Sequence, residues 1–356
     1  MKLRRFILWV LVVSISGLML VSCKSEEKRE PSPAIPKEEE REEPEPEGEG
    51  EKEEKEEGTL EEEEQAPDMP GALQGQEGEE PRLNVYIHQT EEVAQMPFEE
   101  YVEGVVAGEI KNDWPAETIK AQAIIARTFV LDFIETKGES RHNPDAHVST
   151  DIEEAQAWNV EEVNEAIKEA VKETRGQVLT YNGQFTKTWF HSNAGGITAD
   201  AKEGLNFKEE NPPYIESVES PDIGEEVPED ERVWTATFPK ERIIEALGEM
   251  GSGIEDFDSV TIGDKGPSGR TTTLNFGDTS ISAADFRVAL DSTEMKSTLL
   301  DSIEYVDDEL TITGRGYGHG VGMSQWGAYF MAQEGKTFEE ILTHYFKDVK
   351  IAKMWD

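Results

Sequence analysis

A carboxyl group works as a general acid near neutral pH only when something keeps it protonated, and burial against apolar groups is the usual means. One glutamate in this sequence has the spacing for it. Phe98, Tyr101, Val102, Val105, Val106 and Ile110 recur at helical intervals, and Glu109 falls in the same stripe, whereas Glu99, Glu100 and Glu103 fall toward the opposite, wet face. Periodicity alone leaves two readings open: Glu109 faces a site as a desolvated acid, or it ends the helix in water or in a salt bridge.

Other side chains with chemical potential lie in three later stretches. Gln122 and Arg127 interrupt the apolar positions of a second helix, which makes them either buried and hydrogen-bonded or turned toward substrate. His191-Ser192-Asn193-Ala194-Gly195-Gly196 comes directly off a strand, where polar groups followed by glycines suit a substrate cleft. Adjacent His and Ser point to opposite sides of a strand and no nucleophile-elbow pattern surrounds Ser192, which argues against serine hydrolysis. The run from Gly314 to Ala328 alternates glycine with Arg315, Tyr317, His319 and Val321. It lacks the Lys-Ser/Thr ending of a phosphate loop. Its glycines let either a sugar or another stretch of backbone lie close, and His319 and Gln325 are candidates for hydrogen bonds to substrate. His142 and His147 lie in a polar loop without a convincing third ligand, so no metal and no cofactor is expected.

These residues need a scaffold of mixed elements. Leu83, Val85 and Ile87 alternate as an opening strand, and the Glu109 helix follows with Pro97 near its first position. Asp113-Trp114-Pro115 breaks it, and a second helix runs from Pro115 to about Lys137 with Ile119, Ala123, Ala126, Val130 and Phe133 inward. The pattern predicts a further helix over 160–174 and a hairpin in which Val178–Tyr181 and Phe185–Phe190 flank Asn182-Gly183. A strand follows over 233–238, and Ser282 caps a helix containing Phe286 and Leu290. The implied class is α+β, a mixed sheet with packed helices in two lobes around a substrate cleft.

The net charge of −43 is unevenly spread, with 24 Asp or Glu against 7 Lys or Arg in residues 24–80. That segment, rich in Pro and Gly, is expected to be a disordered tether over residues 23–81, since it holds too little apolar surface to offset the entropy of ordering. Before it, Lys2, Arg4 and Arg5 precede an apolar run from Phe6 to Leu20, the pattern of a secretory signal over residues 1–22. Leu20-Val21-Ser22-Cys23 resembles a bacterial lipobox, which makes Cys23 the expected lipidation site and the outer face of the cytoplasmic membrane the expected location. Cys23 is the sole cysteine, so the chain can form no internal disulfide. Residues 82–356 carry the periodic apolar segments of a folded domain. They remain acidic without a basic stripe, which argues against nucleic acid as a partner.

Several separated motifs share a resemblance. MPFEEYVEGVVAGEI with AQAIIARTF, then WFHSNAGGITA, GPSGR and GRGYGHGVGMSQWGAYFMAQEGKTFEEILTHYF are similar, in this order, to the SpoIID/LytB family of bacterial cell-wall proteins. The resemblance implies a lytic transglycosylase that cuts peptidoglycan glycan strands, preferring peptide-stripped ones, in sporulation engulfment or wall remodelling. It puts the acid in VVAGEI, hence at Glu109, and leaves His191, Ser192, His319, Gln325, Gln122 and Arg127 as candidates for substrate binding. LytB-type members imply the alternative of a non-catalytic enhancer of a cell-wall N-acetylmuramoyl-L-alanine amidase. Some sporulation members hold zinc with a cysteine pair in the loop that reads here HVSTDIEEAQAW; without cysteines, the metal is not carried across.

Overall fold

The computed structural model describes residues 66–74 and 78–356. The expected leader, Cys23 and most of the expected tether lie outside the described residues. Among the described residues no helix is long and apolar enough to cross a membrane.

The chain opens with β1 (Arg82–Ile87), β2 (Glu92–Pro97), α1 (Phe98–Glu109), α2 (Ala116–Lys137) and β3 (Val148–Ser149). There follow α3 (Glu165–Glu173), β4 (Gln177–Tyr181), β5 (Gln184–Phe185), β6 (Phe190–His191), α4 (Ala201–Leu205) and α5 (Glu229–Arg232). The middle contains β7 (Trp234–Pro239), α6 (Lys240–Glu249), β8 (Val260–Ile262), β9 (Thr273–Phe276), β10 (Thr279–Ser282) and α7 (Ala283–Leu290). The last part is β11 (Leu300–Val306), β12 (Glu309–Gly314), β13 (Met323–Ser324), α8 (Gln325–Gln333), α9 (Phe338–Tyr345) and β14 (Lys350–Lys353).

The class is α+β, but the strands form several small sheets instead of one. β1 lies between antiparallel β2 and parallel β3, β4 lies between β14 and β5, and β7, β12 and β11 form an antiparallel sheet beside β8, β9 and β10 in another. The described residues belong to one compact unit with three apolar clusters.

α2 joins two of those clusters. Ile119, Ala123, Ala126 and Val130 pack with α1 and α3, while Ala121, Ile124 and Ile125 pack with residues of α8 and α9. A helix that is apolar nearly all round is a buried helix, and its small residues let neighbours approach. It ends at Gly138, whose φ of 79° suits glycine at the residue after the last turn. The helix expected over 160–174 is a short 3-10 turn (Val160–Glu162) followed by α3, whose start Asn164 caps by accepting from Ile167 N.

The predicted hairpin is cut short. β4 and β5 pair for two residues, and the chain then leaves to place β6 parallel to β13, with Phe190 opposite Met323 and His191 opposite Ser324. That pairing sets the glycine run against 193–195, where Asn193 and Tyr317 exchange backbone bonds of 2.9 and 2.8 Å. A Cβ on Gly318 would stand 2.6 Å from His191 Cβ, and one on Gly322 would stand 2.0 Å from Trp189 O. Of the two readings of the glycines, the close approach is filled by backbone and interior side chains.

Candidate active site

Glu109 is the last residue of α1 and is held by a loop laid directly on the helix. Gly104 and Gly108, one turn apart, open the contact: a Cβ on Gly104 would be 2.2 Å from Trp158 Nε1, and one on Gly108 would be 2.7 Å from the Ala157 carbonyl carbon. Asn159 N donates to Gly104 O at 2.9 Å, and Ala157 N donates to Glu109 Oε1 at 2.7 Å. Desolvation raises the Glu109 carboxyl to about 7 against the opposing effect of the Ala157 N–H. Its seat at a helix C-terminus adds to the reasons an anion is unwelcome there.

Glu109 lines an open cleft of ≈ 230 Å³ with Lys111, Trp114, Ser192, Glu231, Gln325 and Trp326. Three distant segments meet there because of the β6–β13 pair. Trp326 N donates to Ser192 O at 3.0 Å, Ser324 caps α8 by accepting from Gly327 N, and Gln325 Nε2 donates to the Glu109 backbone carbonyl at 3.1 Å. Ser192 Oγ donates to Glu231 Oε2 at 2.6 Å, which orients a second carboxylate in the cleft. The Trp114 and Trp326 rings stand 4.8 Å apart at 55°, with Lys111 Nζ 5.0 Å from the Trp326 centroid.

The structure thus gathers Glu109, Ser192 and Gln325, but not the other candidates. Arg127 is fully buried: its Nη2 meets Glu99 Oε2 at 2.7 Å, its Nε meets Glu99 Oε1 at 3.1 Å, and its Nη1 donates to Gln177 O at 2.8 Å. Glu99 Oε1 also accepts from Gly176 N at 3.0 Å and Trp355 Nε1 at 2.9 Å. Arg127 therefore ties α1 and α2 to the chain's last strand region and leaves no edge for a sugar. Glu99, expected on the wet face, is an interior residue. Gln122 is fully buried on α2 and does not line the cleft; its amide has no partner among the described residues.

The two histidines lie under the glycine run. His191 is buried with Nδ1 3.2 Å from Val321 O, and His319 Nδ1 accepts from Val321 N at 3.0 Å. Burial and the neighbouring Arg270 and Arg287 push His319 down to about 3, and burial with His319 and Arg270 nearby pushes His191 well below its usual range. Both are neutral at physiological pH and neither lines the Glu109 cleft. Of the loop histidines, His142 Nε2 is 2.7 Å from Asp151 Oδ2, which Arg141 also engages, while His147 Nδ1 accepts from Asn84 N. His88, His142 and Asp151 could each offer one ligand atom within 4.8 Å of the others.

Glu231 escapes a sequence reading. It stands in Pro228-Glu229-Asp230-Glu231-Arg232, which looks like an ordinary solvated acidic turn. The one local hint is Pro228 before a helix-compatible run; what aims Glu231 into the cleft is Ser192, far away in sequence.

A family model for stage II sporulation protein matches residues 86–181. The stage II sporulation protein D of Bacillus subtilis is 31% identical over 287 residues, 76% of this chain and 79% of that protein. The chain belongs to the SpoIID family. An uncharacterized protein of Brachyspira hyodysenteriae is 33% identical over 260 residues, 73% of this chain and 67% of its own. The chain is also similar to the B. subtilis amidase enhancer, 25% identical over 300 residues that cover 69% of this chain and 39% of the enhancer.

Proposed function

We propose that this SpoIID-family protein is a lytic transglycosylase that cleaves the MurNAc–GlcNAc strands of peptidoglycan, in sporulation or wall remodelling, with Glu109 as its acid and base. The observation that carries the reading is a carboxyl raised to about 7 in an open cleft, so that both protonation states are accessible at neutral pH. Protonated Glu109 gives its proton to the glycosidic oxygen as the C1–O bond breaks. The carboxylate so formed takes the proton of the muramyl C6 hydroxyl as O6 bonds to C1. The product is a 1,6-anhydro sugar, and no water is consumed.

Glu231, oriented by Ser192, offsets positive charge developing at C1, and Gln325 fixes the helix end that carries Glu109. Trp114 and Trp326 offer the apolar faces on which a sugar ring rests. In this reading residues 82–356 are the catalytic domain, Met69 and Leu73 pack into its core from the end of the expected tether, and the stretch before them tethers it to a lipid on Cys23 outside the cytoplasmic membrane.

The test is mass spectrometry of products released from intact and peptide-stripped peptidoglycan by the purified protein and by its Glu109→Gln variant. Anhydro-muramyl products are expected, reduced in the variant by about 10²- to 10⁴-fold, the usual share of a general acid. Substantial cleavage by the variant sinks the assignment of Glu109. The similarity to an amidase enhancer supports a second reading, a wall-binding partner of an amidase. Its mark is no soluble product from either substrate, but faster release of stem peptides once an amidase is added.

A further inference from the structure

Asp222 is fully buried, and four donors converge on its carboxylate. Oδ2 accepts from Ala194 N at 2.6 Å, Ser220 Oγ at 2.9 Å and Ser324 Oγ at 2.5 Å, and Oδ1 accepts from Gly196 N at 2.8 Å. Its backbone carbonyl accepts from Asn193 Nδ2 at 2.7 Å. A carboxylate taken out of water is costly unless donors replace the water, and here they come from three separate stretches of the chain.

Two of those stretches lead into the walls of the Glu109 cleft. The first is the turn after Ser192, where Gly195 and Gly196 have φ of 71° and 100° and the chain aims Ala194 N and Gly196 N at one carboxylate. Arg270 holds the other edge of that turn, its Nη2 donating to Ala194 O at 2.7 Å and its Nη1 to Ile197 O at 2.8 Å. The glycines therefore wrap an internal anion, and of residues 192–196 Ser192 alone lines the cleft. The second stretch is the start of α8. Ser324 Oγ donates to Asp222 while accepting from Gly327 N at 3.1 Å, so the residue that caps the helix also ties it to the turn. Gln325 and Trp326, the next two residues, line the cleft. The third stretch leads away from it, for Ser220 Oγ meets Tyr345 OH of α9 at 2.9 Å.

We infer that Asp222 is a positioning residue for the Glu109 cleft, setting Ser192, and the Glu231 it orients, at a fixed distance from Gln325 and Trp326. This rests on the reading of Glu109 as acid and base. The β6–β13 pair is two residues long, too short to fix the segments beyond it. Asp222 continues the connection where the pairing stops, with one acceptor group that serves backbone and hydroxyl donors together. Asparagine cannot replace it. Hydroxyls can turn, but whichever way the amide is flipped its NH2 faces a backbone N–H, of Ala194 or of Gly196, that cannot. A wall that shifts changes how Glu231 stands to the reacting carbon and admits water beside Glu109.

The test compares the full chain with its Asp222→Asn, Ser324→Ala and Ser220→Ala variants. Three quantities are read: release of anhydro-muramyl product from soluble peptide-stripped strands, the urea midpoint, and titration of the Glu109 carboxyl by NMR, assigned by its absence from Glu109→Gln. Ser324→Ala cuts the arm to the cleft, and Ser220→Ala cuts the arm to α9. Asp222→Asn is expected to lose about 10²-fold in kcat with KM changed less, the effect of misplacement by an ångström. Its Glu109 titration falls below about 7 as water enters. Ser324→Ala shows both changes with a loss of about tenfold in kcat, and carries the test should Asp222→Asn fail to fold. Ser220→Ala loses stability alone. Wild-type kcat and an unmoved Glu109 titration in Ser324→Ala, or equal effects in the two serine variants, overturn the positioning role. Absence of anhydro product from the wild type overturns the transglycosylase reading instead, and the Glu109 titrations then decide the role of Asp222 by themselves.

Discussion

Two glutamates on α1, Glu99 and Glu109, sit one at each end of the same helix and have opposite fates. Glu99 receives the Nε–Nη2 edge of Arg127, a backbone N–H and an indole N–H, so its charge is fully answered inside the protein. Glu109 receives one backbone N–H and is otherwise desolvated, and its carboxyl rises to about 7. Burial does not by itself make a carboxyl reactive; burial with too few donors does. The first glutamate holds α1, α2 and the C-terminal segment together, and the second faces an open cleft.

The comparison can be broken from the Glu99 side with the larger effect. Arg127→Met leaves a buried carboxylate without its cation, and the expected loss of stability is about 3–5 kcal/mol, measured by urea denaturation. The double change Arg127→Met, Glu99→Gln should recover much of it, because the uncompensated charge is gone. A double variant no more stable than the single one would mean the pair matters for packing and not for charge.

A smaller effect is expected from Gly108→Ala. Its Cβ would meet the backbone of Ala157 and Trp158, which cannot give way as a flexible side chain can. The loop must lift, at a cost of roughly 1–3 kcal/mol. Lifting it also removes the Ala157 N–H from Glu109 and admits water, so activity should fall further than stability. Wild-type activity in that variant would show that the loop does not set Glu109.

The pH dependence of stability gives a further contrast. Glu109 binds its proton more tightly in the folded state, about 7 against an ordinary 4.5. Folding therefore retains a proton that the unfolded chain has lost, and stability falls as pH rises from about 4.5 to about 7. Denaturation at pH 4, 6 and 8 should show this decline in the wild type and a shallower one in Glu109→Gln. Identical slopes would mean that Glu109 titrates as it does in water. Cleavage by the wild type should decline over the upper part of the same range, as the acid form disappears.

Of the site, the helix carrying Glu109, its break at Trp114-Pro115 and the strand before Ser192 were legible, because each depends on residues near in sequence. Their short-range order also made Gln325 and Ser192 reasonable candidates. The same pattern misjudged Glu99 and Arg127. Helical spacing put Glu99 toward the wet face, but its partners are Arg127, Gly176 and Trp355. Arg127 and Gln122, read as interruptions of an apolar helix, could point to substrate or interior with equal right until the fold set Glu99 and Gln177 against Arg127 and buried Gln122.

The sequence by itself determined where α1 is broken and where α2 starts and stops, and that one glutamate would share the apolar side of its helix. Those follow from side-chain spacing and from proline, glycine and capping residues acting over a few positions. Only the tertiary structure decided what each carboxyl meets. The loop that desolvates Glu109, the serine that turns Glu231 into the cleft, and the Asp222 carboxylate that binds both Ala194 and Ser324 all join segments far apart in the chain. Chemistry of this kind depends on the donors and water around a group, and neither is written within one turn of its own helix.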